Sequence, residues 1–374
     1  MIGQPVAALD TPALVIDLDA LERNLAAMAA FARDKGLRLR PHAKTHKSAW
    51  IAAQQAAHGA VGVCVQKTSE AEALAAAGVR DLFITNEVID PPKLARVAAL
   101  AREHRLAIAV DSALGIERLA QALRAAGSAL DVFIEIDVGH GRCGARPEQA
   151  GALARQALDA GLRFAGLQAY HGRAQHLRTG AERRAAIEAA GAALRMAQAA
   201  LTAQAIGCPL VSGAGSGSFV LEAQSGLWGE LQCGSYVFMD RDYADNEPLA
   251  GAPRFEHALF VKSQVMSRAA DHAVVDAGHK SHAIDSGLPR VWGRDDLEFV
   301  NGGDEHGILR ARGSARLPAS LLANLPGLGD TVWLVPGHCD PTVNLHDTMF
   351  GVRGGLTVGT VERNLGVDAR GCVT

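Results

Sequence analysis

Three stretches of this 374-residue chain combine residue types and spacings that can do chemistry. RPHAKTHKS, residues 40–48, gathers Arg40, His42, Lys44, His46 and Lys47. Like charges depress the pKa of a lysine among them, and a neutral amine can form a Schiff base with a carbonyl compound. On an extended segment Arg40, His42 and Lys44 share one face, so the first two are expected to keep Lys44 deprotonated. VSGAGSGSF, residues 211–219, frees backbone amides at Gly213, Gly215 and Gly217 and adds hydroxyls at Ser212, Ser216 and Ser218. That is a pattern for cradling phosphate, distinct from the dinucleotide fingerprint GxGxxG. VPGHCDPTVNLHD, residues 335–347, sets His338 and Asp340 two apart. On an extended segment both face one way and could hold a divalent cation, with the open positions left to water. Such a site suits Mn²⁺, Mg²⁺ or Co²⁺ better than a closed structural zinc. His346 and Asp347 form a weaker second pair.

Further candidates lie in GHGRCG (139–144), LQAYHGRAQH (167–176) and DEHG (304–307). Arg142 can hold an anionic oxygen, and Tyr170, His171 and His176 follow a common strand, where a histidine can act as general base near neutral pH. Each stretch alone also reads as a solvated basic turn, a glycine turn or a polar surface loop. Together, a reactive lysine, a phosphate-type loop and converging Arg and His fit a phosphorylated aldehyde cofactor, and pyridoxal phosphate meets that description.

A scaffold must bring these residues together. Short apolar runs at 38–42, 61–66, 82–85, 106–111, 131–137, 164–170, 209–213 and 230–236 alternate with Ala/Leu-rich helical stretches, among them 69–77, 92–103, 114–126, 147–160 and 181–204. Eight strand–helix units predict an α/β fold, a (β/α)₈ TIM-type barrel, whose active site sits at the C-terminal strand ends. Asp19 with Glu22, and Ser69 with Glu72, have capping-box spacing. After the Pro/Gly-rich NEPLAGAPR (246–254) the helical period fades and β-type runs appear, including HALFVKSQVMS, ILRARGSARL and DTVWLVPGH. The expected division is a barrel over 15–248 and a β domain over 249–374 with 1–14, the latter carrying the metal pair.

Net charge is −3, the hydrophobic fraction 48% and the charged fraction 21%, ordinary for a globular protein and without the basic excess of a nucleic-acid binder. The start MIGQPVAALD lacks the features of a secretory signal, and no apolar run of about 18 residues predicts a membrane span. Six scattered cysteines with no CxxC pair point to free thiols in a reducing compartment, so a cytoplasmic location is expected.

The sequence resembles the D-threonine aldolase/D-serine dehydratase family of fold-type III pyridoxal phosphate enzymes, relatives of alanine racemase. The resemblance runs through DTPALVIDLDALERN, RPHAKTHKS, VCVQKTSEAEAL, ITNEV, EIDVGHGRCG, LQAYHG, SGAGSGS, ELQCGSYVFMD, VDAGHK, DEHG and PGHCDPTVNLHD, in order along almost the whole chain. It implies Lys44 as the Schiff-base lysine, Arg142 beside the cofactor's phenolic oxygen and Gly215–Ser216–Gly217 as the phosphate cradle. It also implies Tyr170 near the cofactor ring, Ser212 and Tyr236 in the cofactor set, His176 as a base, and His338 and Asp340 as metal ligands, Mn²⁺ first among the candidates. The dehydratase branch carries Cys where this chain has Asp340, so the resemblance favours an aldolase that cleaves D-3-hydroxy amino acids to glycine and an aldehyde; a dehydratase on the same scaffold is the alternative. GHCDPT and SGLPRVWGRDD resemble the D-3-hydroxyaspartate aldolases and RPHAK the D-threonine aldolases. A homodimer with a shared active site is a further implication.

Overall fold

The computed structural model describes residues 1–313 and 324–374. Two compact units emerge, one of Ala26–Gly234, Asn246–Pro253 and Gly371–Thr374, the other of Met1–Leu25, Ser235–Asp245 and Arg254–Arg370. The expected limits of 15 and 248 differ from this partition chiefly at 15–25 and 235–245, which belong to the strand-rich unit. The reason is β1, Ala13–Asp17, which pairs antiparallel with Leu259–Lys262 and parallel with Met349–Val352.

The first unit is the barrel. Its strands are β2 (Arg38–Leu39), β3 (Val63–Val65), β4 (Asp81–Ile84), β5 (Arg105–Val110), β6 (Asp131–Glu135), β7 (Arg163–Ala169), β8 (Val211–Gly213) and β9 (Glu230–Leu231). All pair parallel in the order β2-β9-β8-β7-β6-β5-β4-β3. The ring closes through a parallel bridge between His42 and Cys64 and the bonds Val61 N–H to Leu39 C=O and Cys64 N–H to Pro41 C=O. Buried Cys64, Phe83, Ala107, Ala109 and Phe133 form one cluster, with the two phenyl rings 4.6 Å apart. Each buried phenyl contributes about 1.5–3 kcal/mol of transfer free energy. The helices cover the ring with apolar stripes: Ile116, Leu119 and Leu123 of Ala113–Ala126 are buried, and Ser112 Oγ caps that helix by accepting Gly115 N–H at 3.3 Å.

Two cap assignments need correction. The helix Leu18–Asp34 is capped by Asp17, whose Oδ1 accepts the Asp19 and Ala20 amides, whereas Asp19 receives Arg353 and the Gly354 amide. Ser69 and Glu72 form no capping box: Ser69 donates to the Thr374 carbonyl and Glu72 accepts from Arg96. A capping box does form at Thr179 and Glu182.

The strand-rich unit holds β1 with β10 (Leu259–Arg268), β11 (Ala273–Val275), β12 (Arg290–Val291), β13 (Leu297–Asn301), β14 (Gly307–Ala311), β15 (Thr331–Val335), β16 (Thr348–Arg353) and β17 (Thr360–Gly366). Its order is β13-β14-β11-β10-β1-β16-β17, with β15 pairing β10 and β12. Val6, Leu9, Ala13, Val15, Val352 and Val361 form a buried cluster there. Of the expected run ILRARGSARL, β14 covers 308–311, and 314–317 lie outside the described residues.

Candidate active site

Lys44 is half-buried in the 3-10 turn Ala43–Thr45, just past the end of β2. His42 caps that turn: its Nδ1 accepts the Lys44 backbone N–H at 3.3 Å. Its Nε2 lies 3.1 Å from Thr85 Oγ1 and 2.9 Å from Gln66 Nε2, so both ring nitrogens are engaged. Arg40 spends its charge on Glu230 and Asp81, the first residues of β9 and β4. The two expected neighbours of Lys44 thus have further partners: His42 caps the turn that carries Lys44, and Arg40 is balanced by two carboxylates. Lys47 pairs with buried Glu70 at 3.6 Å, and His46 Nδ1 accepts the Ser48 amide at 3.1 Å.

The glycine loop follows β8. The Gly217 N–H donates to Gln175 Oε1 at 2.9 Å, Gln175 Nε2 to Ser218 Oγ at 2.7 Å, and Ser218 Oγ to Glu222 Oε1 at 2.7 Å. Burial raises the Glu222 carboxyl to about 7 despite that hydroxyl. A Cβ on Gly217 would stand 2.6 Å from the Gln175 carbonyl oxygen, so the close approach requires glycine. The Gly217 amide and Ser218 are committed to the loop itself. Ser212 lies fully buried inside the barrel, donating to Glu230 at 2.7 Å and accepting from Gln232 at 2.8 Å.

The loop after β6 turns back on itself, because Asp137 Oδ1 accepts the Gly139 and Gly141 amides and Ala145 pairs with Ile136. It projects exposed Arg142 and half-buried His140. His140, which the sequence reading did not single out, accepts the Gly172 N–H on Nδ1 at 3.3 Å. It stacks on His171 at 6.5 Å and meets Tyr170 edge-on at 6.2 Å. Burial, Arg142, His171 and Arg173 hold it down at about 4. Arg142 and Arg173 thus bring positive charge beside His140, which suits an anionic ligand. Tyr170 is half-buried after β7, and His176 is exposed at the end of the 3-10 turn Gly172–His176. Lys44, Arg142, Tyr170, His176 and the glycine loop therefore stand at one end of the barrel.

Tyr236, His338 and Asp340 belong to the strand-rich unit. Tyr236 is buried with its ring 5.6 Å from Phe255. His338 precedes the short helix Cys339–Val343 and stands between two carboxylates, Asp285 Oδ2 at 2.7 Å from Nδ1 and Asp340 Oδ2 at 3.8 Å from Nε2. Burial would lower its pKa, but Asp340 and Asp285 raise it to about 9. A cation is thus favoured at this position, and a metal on Nε2 would take the proton's place while Asp285 fixes the other nitrogen. Asp240 lies below, accepting the Cys339 amide at 3.0 Å. Asp285 was not foreseen; the signal for it was that a ligating histidine needs a carboxylate behind it. Among the described residues no group of three or more His, Cys, Asp or Glu is arranged to hold a metal, so two protein donors are what the pair offers. His346 and Asp347 are engaged elsewhere, with the Ser281 carbonyl and Arg370. Asp304 and Glu305 of DEHG pair with His279 and Lys280.

Comparison with known proteins agrees with this architecture. Residues 16–242 match the alanine racemase N-terminal domain family and residues 258–352 a putative serine dehydratase domain. The chain is 45% identical to a D-threonine aldolase of an Arthrobacter species, over 99% of this chain and 95% of that protein. It is 43% identical to a 3-hydroxy-D-aspartate aldolase of Paracoccus denitrificans, over 99% and 94%. A D-threo-3-hydroxyaspartate dehydratase of a Delftia species is more distant, 35% over 89% and 92%. The crystal structure of a D-threonine aldolase from Filomicrobium marinum superposes with a TM-score of 0.95 at 48% identity, covering 100% of this chain and 99% of that one. The chain belongs to the alanine racemase-like family whose members include the D-threonine and 3-hydroxy-D-aspartate aldolases, which are lyases.

Proposed function

We propose that this protein is a pyridoxal phosphate- and divalent metal-dependent aldolase that cleaves D-3-hydroxy amino acids to glycine and an aldehyde. The observation that carries the reading is the histidine between two carboxylates, with Asp285 facing Nδ1 and Asp340 facing Nε2. An oxygen-rich pair of this kind suits Mn²⁺, Mg²⁺ or Co²⁺.

Lys44 would hold the cofactor's aldehyde carbon, the Gly215–Gly217 loop its phosphate, and Arg142 its phenolic oxygen, with Tyr170 and Tyr236 in the same set. Ser212 belongs to the same set, its hydroxyl held between Glu230 and Gln232. When bound, pyridoxal phosphate supplies an electron sink for the pair released from the Cα–Cβ bond. A metal on His338 and Asp340 supplies a Lewis acid that lowers the pKa of the substrate's β-hydroxyl.

The chain's own residues do the rest. Lys44 would be the amine that the substrate's own amine displaces from the cofactor's aldehyde carbon, and that displaces glycine in turn. His176 accepts the proton of the β-hydroxyl. Arg142, Arg173 and the neutral His140 hold anionic oxygens. The working form is a homodimer in the cytoplasm; all six cysteines are free, in keeping with a reducing compartment. No helix of the described residues is long and apolar enough to cross a membrane.

The test is product analysis of protein supplied with pyridoxal phosphate and Mn²⁺, offered D-threonine and D-3-hydroxyaspartate separately, with and without EDTA. Glycine plus an aldehyde, lost with EDTA, is expected. Ammonia plus an oxo acid would place the chain with the dehydratases and remove the weight put on Asp340.

A further inference from the structure

Three acidic residues at the ends of three adjacent barrel strands take no part in the chemistry so far. Glu87 lies three positions past β4, Asp111 one past β5, and Glu135 closes β6. The loop after β6 folds over them: Ala145 N–H donates to the Glu135 carbonyl at 2.9 Å and Gly144 N–H to Asp111 Oδ2 at 3.2 Å. Glu135 faces Glu87 from the loop after β4, Asp111 from the loop after β5 and Arg142 from its own loop. The Cys143 thiol faces both glutamates, and on the β7 side the neighbour is uncharged Gln168.

Glu135 is 6% exposed. Its Oε2 and both oxygens of Glu87 are buried without an amide, hydroxyl or ammonium donor among the described residues. A buried carboxylate with no donor is costly, and two in contact cannot both ionise.

We infer that Glu87 and Glu135 hold one proton between them, and that this shared proton keeps Arg142 from being drawn into a buried ion pair, leaving its guanidinium turned to the site. An acid-to-carboxylate hydrogen bond gives the orphaned oxygens the donor they lack and removes one negative charge from beneath the arginine. Burial and Glu87 raise the Glu135 carboxyl to about 9, against the pull of Arg142. Above that pH a second carboxylate appears under Arg142 and competes with the ligand for it. Glu135 is thus a positioning residue, acting through Arg142. The inference rests on the reading that Arg142 holds the cofactor's anionic oxygen.

The test has two arms, neither of which needs turnover, so failure of the aldolase reading leaves both legible. The first is difference infrared spectroscopy of the full-length protein at about pH 8, where ordinary carboxyls are ionised. Wild type minus Glu135→Gln should show a carboxylic-acid carbonyl band, and wild type should lose that band as pH rises through about 9. No band in wild type, or a band that survives in Glu135→Gln, overturns the shared proton. The second is equilibrium binding of pyridoxal phosphate across the same pH range. Wild-type affinity should fall severalfold while Glu135→Gln, which mimics the protonated acid, falls less. An equal fall in both overturns the positioning role. Should Glu135→Gln fail to fold, Glu87→Gln takes its place in both arms.

Discussion

Asp285→Ala is the sharpest test of the metal pair, because it changes neither proposed ligand. The substitution removes the acceptor 2.7 Å from His338 Nδ1; Ser286 Oγ, at 3.5 Å, is too far to replace it. The imidazole then loses both its preferred tautomer, with the lone pair on Nε2, and the restraint on its ring plane. Loss of such a carboxylate costs about 10–100-fold in metal affinity. The Asp285 side chain is 52% exposed, so water screens the pair and the low end applies. A loss of about tenfold corresponds to ~1.4 kcal/mol. Asp285→Asn keeps an acceptor oxygen and should lose less. The assay is titration of Mn²⁺ into the full-length protein, with unbound Mn²⁺ read by electron paramagnetic resonance. An unchanged dissociation constant in Asp285→Ala would refute the argument that the far nitrogen sets the ligand, and a loss as great as that of Asp340→Ala would make Asp285 a ligand itself.

Gly217→Ala places a methyl 2.6 Å from the Gln175 carbonyl and should weaken pyridoxal phosphate binding without unfolding the barrel, read by dialysis and by thermal melting. Arg40→Ala leaves Glu230 and Asp81 without their buried partner; because Arg38 and Arg105 still reach them, the loss of stability should lie at the lower end of the range for such pairs, about 3 kcal/mol by denaturant midpoint. Glu222 has a folded pKa raised from 4.5 to about 7 by burial, so its contribution is complete below 4.5 and fades as pH rises to about 7. Glu222→Gln should flatten the fall of melting temperature over that window, and a wild-type slope retained in the variant would rule Glu222 out as its source.

The barrel was legible because its signals are local. Apolar runs such as LAIAVD and DVFIEID separated by amphipathic helices state both the period and the element count. The strand-rich unit was only half legible, because β1 finds its partners far along the chain. In the site, Lys44 and the glycine loop announce themselves by composition. The polarity around Lys44 did not: nothing in RPHAKTHKS says that Arg40 meets Glu230, 190 residues away, or that His42 turns back to cap its own turn. Asp285 and the glutamate pair were hidden for the same reason, since each matters only through a partner brought by the fold.

The position of β1 also bears on how the chain is made. Leu14 finds its parallel partner at Met349, so about 335 residues must be synthesised before that edge can close. At about 5–20 residues per second this is a wait of roughly 20–70 s. The barrel strands are contiguous in sequence and can assemble on the ribosome in that interval, while apolar ALVID waits first for Leu259–Lys262 and then for Met349–Val352, with an edge open until the second is made. A chain that stops before Met349 would carry that strand with its parallel edge unpaired.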